Sequence, residues 1–418
     1  MFETKILDAK VEFITQPLLM PLILSSGPIT ESTEASVEVV VEVEGKREIG
    51  RSNIYLGDLW AWPDPSLTHE QRDGVLRKLC QDIAADLKNF CGGEPAHPLE
   101  LGLRLHNNVC HEKTPPALAR AMCASPFDAA IHDAVGIALG ESAFEFYKDP
   151  VSLPTADPYF EGSACSAIND VISEPKSELK AWYLVIKNDM AEELRPWVQD
   201  RGYRCFKIKI LGKDNDYDVA RTIEVHGMLK ELGAKNIELS VDTNEANPDA
   251  HSVLDYLQRL KAIDAETYAA FQYFEQPTGR DITVHKFDWR DVTKLKPVML
   301  DEGLTSLALM QEAKDQGWSG FALKTCKGHS FALVAAAWAR QNGMLLSMQD
   351  LTNPGLSMIH AALFAAHVHT INDVELNSPE FTPAANESFL PRLSGLFDPH
   401  RGVHMLPEKV PVGLGSKL

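Results

Sequence analysis

From Ala181 to about residue 390 the chain repeats one pattern, a short apolar run followed by a longer stretch with helical spacing. The runs are predicted as strands near Trp182–Lys187, Arg204–Ile210, Asn236–Val241, Ala270–Phe274, Val298–Leu300, Phe321–Leu323, Met344–Ser347 and Ile371–Val374. Helical patterns fall between them at Tyr217–Leu232, Ala250–Ile263, Thr305–Gln316, Ser330–Gln341 and Gly355–His367, with Gly233, Gly317 and Gly343 where helix C-caps belong. Eight β-α units fit a closed parallel barrel, an architecture in which chemistry sits at the C-terminal ends of the strands.

Those ends are charged. In Cys205-Phe206-Lys207-Ile208-Lys209-Ile210 the side chains alternate, so Lys207 and Lys209 share one face while Phe206, Ile208 and Ile210 share the other. Two ammonium groups on an apolar strand are costly to bury unless anions meet them. The anions follow, with Asp242 after Ile237–Val241, Glu275 after Phe271–Phe274, and Asp301 and Glu302 after Pro297–Leu300. Lys324 is delivered in the same way by Gly320–Leu323.

Any one of these carboxylates would ordinarily be a surface salt-bridge partner. Three at consecutive strand ends, with no histidine or cysteine beside them, suit a hard divalent cation, Mg2+ or its substitute Mn2+. Protonated lysine has no lone pair to give a metal, so Lys207 and Lys209 are not both ligands and one of them is read as a proton-transfer group. A like-charged neighbour and the cation would lower the pKa of one of them. Lys324, four strands further round, would reach the centre from the opposite side. The substrate that needs such a pair is a small carboxylate whose α-proton is removed while a cation stabilises the enediolate.

At 418 residues the chain is too long for one ordinary core, which points to two domains or to a barrel with an added domain. A formal charge of -19 argues against a nucleic-acid partner. No apolar run approaches bilayer length, and Met1-Phe2-Glu3-Thr4-Lys5 lacks the order of a signal peptide, so a cytoplasmic location without a membrane partner is expected. An acidic barrel of this size is expected to assemble as a homo-oligomer. The seven cysteines have no zinc spacing and read as reduced thiols, with Cys205 and Cys326 as core or barrel-lining residues.

Ahead of the repeat, Ala9–Thr15, Val37–Val43 and Arg47–Ser52 read as strands of an antiparallel meander, with Gly45-Lys46 as a turn. The joining segments Leu18–Thr30 and Asn53–Pro65, the latter with Tyr55, Trp60 and Trp62, are apolar enough to cover something; equally, their tryptophans could only anchor them. Helical patterns follow at Thr68–Phe90, Pro115–Ala124 and Pro126–Phe146.

Taken together, Lys207-Ile208-Lys209, Asp242-Thr243-Asn244, Glu275-Gln276-Pro277, Asp301-Glu302-Gly303 and Lys324 resemble the ordered motifs of the enolase superfamily, most closely its muconate lactonizing enzyme subgroup. The resemblance implies an α/β fold, a (β/α)-barrel with an α+β N-terminal capping domain. Residues 1–150 would be the cap, 151–180 a connection, 181–390 the barrel and 391–418 a segment returning to the cap. It implies Asp242, Glu275 and Asp301 as Mg2+ ligands, Lys209 as the base on one face and Lys324 as the acid or base on the other. Lys207 would meet the substrate carboxylate with Asn244 in support, and Glu302 would be a neighbouring ligand or stand behind the ligands. The two joining segments, Trp60 among them, would close over the site and select the substrate, with Glu375 also on the substrate side.

Departures from the family pattern narrow the outcome. The mandelate racemase subgroup would show a histidine at the seventh strand end, where this chain has Ser347-Met348-Gln349-Asp350. The dipeptide epimerases carry Asp-x-Asp on the eighth strand, where this chain has Glu375-Leu376-Asn377. Asn247–Phe274 is longer than the usual third unit, and His329, which could contact ligand, reads more simply as a solvent-facing histidine at a helix start. The function expected is an isomerase, most simply a racemase or epimerase. Cycloisomerisation and elimination of water are alternatives on the same lysine pair. A catalytically silent ligand-binding relative and a Schiff-base aldolase at Lys324 are the readings from other classes.

Overall fold

Strand β1 (Thr4–Leu24), β2 (Gly27–Val43) and β3 (Lys46–Tyr55) make an antiparallel sheet in a computed structural model that describes residues 2–24, 27–186 and 190–418. Val37, Val39, Val41 and Val43 alternate inward as the sequence pattern requires. The hairpin is much longer than expected. Leu18–Thr30 is its outer part rather than a loop, although residues 25 and 26 of that segment lie outside the described residues. The register slips between Pro17 and Leu22, which absorbs the stretch around Pro21, a residue with no N–H to give a ladder.

Helix α1 (Asp58–Ala61) is a single turn, followed by α2 (His69–Phe90), α3 (Pro98–Cys110) and α4 (Ala117–Leu139). Thr68 and Gln71 form a capping box that starts α2. One helix replaces the two expected around Pro126, because the carbonyl of Met122, which Pro126 cannot serve, accepts from Ser125 Oγ at 2.8 Å. The alanines of α4 let it lie flat on the sheet. A Cβ on Gly50 of β3 would stand 2.0 Å from the Ala130 carbonyl, so only glycine fits.

Seven parallel strands follow, in the order β5 (Trp182–Val185), β6 (Cys205–Lys209), β7 (Glu238–Asp242), β8 (Phe271–Glu275), β9 (Val298–Leu300), β10 (Gly320–Leu323) and β11 (Leu345–Met348), each hydrogen-bonded to the next. The short β4 (Glu178–Lys180) before them pairs with β12 (Val403–Met405) near the C-terminus. Lys187, expected at the end of β5, lies outside the described residues. Inside the ring, Trp182, Cys205, Tyr273, Met299 and Ala322 form a buried layer, and full burial of a large apolar side chain contributes about 1.5–3 kcal/mol. This is where Cys205 was expected; Cys326 is also buried, and all seven thiols are free.

The eighth strand expected at Ile371–Val374 is reduced to a parallel bridge between Gln349 and Glu375. Asn372 is the cause. Its side chain takes both the N–H and the carbonyl of Met348, at 3.0 and 2.9 Å, in place of a backbone ladder, and Asp373 turns the chain with φ 57°. The Asn372 carbonyl in turn accepts from Trp182 Nε1 at 2.7 Å and joins this segment to the first strand. Among the described residues, no helix is long and apolar enough to cross a membrane.

Candidate active site

Strand register brings the charged ends to one level. Lys209 of β6 stands opposite Asp242 of β7, and Asp242 stands opposite Glu275 of β8. Asp301 and Lys324 follow directly after β9 and β10. Together with Lys207, Asn244, Glu302 and Glu375 they line one cavity, closed on the N-terminal side by Leu22, Ile29, Tyr55 and Trp60. The cavity thus brings together Lys207, Lys209, Asp242, Asn244, Glu275, Asp301, Glu302, Lys324 and Glu375 with Trp60 of α1. Of the two tryptophans, Trp60 reaches the cavity and Trp62 packs on the core.

Each ammonium meets carboxylate. Lys207 Nζ is 2.8 Å from Glu275 Oε1, 3.3 Å from Glu375 Oε2 and 3.4 Å from Asp242 Oδ2. Lys209 donates to Asp242 Oδ2 and, at 3.0 Å, to Asn244 Oδ1. Asn244 is held in the left-handed region with φ 45°, a conformation asparagine tolerates, and its N–H donates to Asp242 Oδ1 at 2.6 Å. Lys324 Nζ lies 3.0 Å from Asp301 Oδ2 and 5.6 Å from the centre of the Trp60 ring.

Glu302 joins the two layers, since its Oε1 accepts from Trp60 Nε1 at 2.9 Å. Arg280 ties the same point from behind by pairing with Glu245 and donating to the Trp60 carbonyl at 3.1 Å. Gln276, part of the Glu275-Gln276-Pro277 motif, is a brace. Its Oε1 accepts from Asp301 N at 2.9 Å and Gly303 N at 3.1 Å, which fixes the turn that presents Asp301.

Two further residues escaped the sequence reading. Lys327 is buried and donates to Asp301 through its carbonyl at 2.7 Å and Oδ1 at 3.1 Å. Gln349 bonds both Lys324 and Glu275. The available signal was position, since Gln349 directly follows its strand just as Asp301 and Lys324 follow theirs. His329 is corrected as well. It is wholly buried at the packing of α4 against the helix His329–Gln341, and no part of it faces solvent.

Burial favours the neutral form of each group here, and the neighbours decide which groups resist it. Burial, reinforced by Asp242 and opposed by Lys207, moves the Glu275 carboxyl up to about 7. Burial with Asp301 and Glu245 nearby moves Glu302 up to about 8. For Asp301 burial is outweighed by Lys324, Lys327 and Lys207, which hold its carboxyl below the usual range. For Lys207 and Lys324 burial is likewise outweighed, by Glu275, Glu375 and Asp242 in one case and by Asp301 and Glu275 in the other, so both are held up as ammonium groups.

Five carboxylates and three lysines line this cavity. Hard oxygen donors in excess over ammonium groups are the chemistry a divalent cation requires, so the donor set fits Mg2+. Among the described residues no three acidic, histidine or cysteine side chains gather into a ready-made ligand cluster. The physical reason is that lysine ammonium groups stand between Asp242, Glu275 and Asp301.

Comparison with known proteins places this arrangement. Residues 189–417 match the family described as Enolase C-terminal domain-like. No curated protein sequence matches the chain. Among solved structures, muconate lactonizing enzyme from Pseudomonas fluorescens complexed with muconolactone is 19% identical with a TM-score of 0.66, over 99% of this chain and 96% of that one. N-succinyl Arg/Lys racemase from Bacillus cereus is 20% identical with a TM-score of 0.64, over 90% and 89%. Dipeptide epimerase from Cytophaga hutchinsonii, complexed with Mg and the dipeptide D-Ala-L-Val, is 17% identical with a TM-score of 0.66, over 98% and 95%. At these identities the likeness is one of fold.

Proposed function

Because the chain belongs to the Enolase C-terminal domain-like family of the enolase superfamily, we propose that it removes the α-proton of a small carboxylate substrate in an Mg2+-dependent isomerisation, most simply racemisation or epimerisation. The observation that carries this reading is that Lys209 and Lys324, four strands apart in the sheet, both open into one cavity with Asp242, Glu275 and Asp301 between them. Structural relatives in this superfamily include a racemase, an epimerase and a lactonizing enzyme, which supports an isomerase and leaves the reaction outcome to experiment.

Mg2+ held by Asp242, Glu275 and Asp301 would supply the positive charge that acidifies the α-proton and would relieve the lysines of these carboxylates. The other roles belong to the chain. Lys207 meets the substrate carboxylate from the floor of the cavity. Lys209, steadied by Asn244, faces the α-carbon from one side, and Lys324 from the other. Trp60 and the hairpin residues Leu22 and Ile29 exclude water above the site, which strengthens every charge interaction inside it. The same lysine pair would serve cycloisomerisation or elimination of water, and Lys324, held as an ammonium group, is suited to donating the proton in either.

The test is exchange in deuterium oxide with Mg2+ and a library of chiral 2-substituted carboxylates. Wild type is expected to place deuterium at the α-carbon of at least one acid, and Lys209→Ala to slow this by about 10²–10⁴-fold. A library in which no acid gains deuterium, or in which Lys209→Ala behaves as wild type, would overturn the reading.

A further inference from the structure

We propose that Gln349 is a positioning residue that holds Lys324 in the cavity and so determines whether the second face of the substrate is served; this rests on the roles given to Lys209 and Lys324 above. Gln349 follows β11 and is 1% exposed. Its backbone is anchored on both sides, by N–H donation to the Leu323 carbonyl at 3.0 Å and by the bridge to Glu375. Its side chain accepts from Lys324 Nζ through Oε1, stands 3.5 Å from Lys207 Nζ through the same atom, and donates through Nε2 to Glu275 Oε2.

The neighbours fix the amide orientation, since an ammonium group only donates and a carboxylate only accepts. An amide is the side chain that can satisfy both at once without adding charge. A carboxylate here would face Glu275 across a buried contact, and an apolar residue would leave Lys324 its ion pair with Asp301 and no amide acceptor. Gln349 also reaches only one member of the lysine pair. Lys209 is held by Asp242 and Asn244. Removing the amide should therefore act on one face of the reaction.

The test uses the full chain with Mg2+. Crystal structures of Gln349→Met and Gln349→Leu are expected to show Lys324 Nζ displaced by about 1 Å or more from its wild-type position, pivoting about its Asp301 contact, with Lys209 in place, a shift large enough to cost about 10²-fold in rate. Gln349→Glu retains an acceptor for the ammonium group and is expected to restore the position of Lys324. Lys324 unmoved in both apolar variants overturns the proposal. The functional arm follows deuterium uptake into (R)-mandelate and (S)-mandelate offered separately. Where wild type exchanges both, Gln349→Met is expected to retain exchange of one enantiomer and to slow the other at least about 10²-fold. Equal loss for both enantiomers, as a general structural defect would give, also overturns it. Wild type that exchanges neither enantiomer counts against the proposed reaction on mandelate, and the position of Lys324 then decides this inference by itself.

Discussion

Two of the regions in which this molecule buries polar side chains do so in opposite ways. At the barrel mouth the buried groups are charged and paired, with Lys207, Lys209, Lys324 and Lys327 set against Asp242, Glu275 and Asp301. Where α4 packs on the helices His329–Gln341 and Gly355–His367, the buried groups are mostly neutral. His329 makes no hydrogen bond through either ring nitrogen, and its ring lies 5.3 Å from that of His132. Burial, followed by the neighbouring His132, depresses His329, and takes His97 and His360 down to about 3. The exceptions are Asp128, which contacts from His132 and the Ser330 N–H keep ionised against burial, and His106, where burial is outweighed by Cys110, Thr305 and Asp128 and the imidazole is moved up to about 9.

Well-packed apolar residues can replace a buried ion network with no loss of stability. The charges at the mouth are therefore not explained by holding the fold together, and their retention points to chemistry. Among the described residues His97, His329 and His360 form no ion pair, and they belong to packing.

The largest effect that would break this contrast is expected at the mouth. Asp301→Asn leaves Lys324 and Lys327 buried without their carboxylate, and urea denaturation should show a loss of about 3–5 kcal/mol. A loss below about 1 kcal/mol would mean that water already relieves the network. A smaller effect is expected beside α4. His97 and His360 titrate near 6.5 in the unfolded chain and lower in the folded one, so below pH 6.5 the unfolded state binds more protons. Their contribution is complete above about pH 6.5 and is lost as pH falls. His360→Phe should make the acid side of the stability profile shallower by up to about 1.4 kcal/mol per pH unit. The smallest effect is expected for His329→Phe, which removes two unsatisfied nitrogens from an aromatic setting. Thermal denaturation should show a gain of about 1 kcal/mol, where an equivalent loss would show that the imidazole has a partner, such as buried water.

The same contrast explains what could be read from the sequence. The mouth was legible because the strand rule acts on single positions: a charged residue at the end of each apolar run, repeated, identifies Lys209, Asp242, Glu275, Asp301 and Lys324 without knowledge of any contact. Gln349 occupies such a position too, but a neutral amide carries no charge to draw attention. Helix α3 was hidden because Leu99-Glu100-Leu101-Gly102-Leu103-Arg104-Leu105 alternates like a strand, and only packing against α4 makes it a helix. The close contact there is visible at Gly102, where a Cβ would stand 1.9 Å from Asp128 Oδ1. His329 was misplaced for a related reason, since a helix-start histidine looks solvent-exposed until α4 covers it. The eighth strand was lost to side-chain hydrogen bonding by Asn372, which periodicity cannot register.

Calorimetric titration of the wild-type chain with Mg2+ at pH 8, where Glu275 with its pKa near 7 is largely ionised, tests most directly whether the acidic strand ends hold a cation. One Mg2+ per chain, weakened at pH 6 as Glu275 takes up a proton and abolished by Glu275→Gln, is the result predicted. Absence of binding at pH 8, or binding that Glu275→Gln leaves intact, would contradict it.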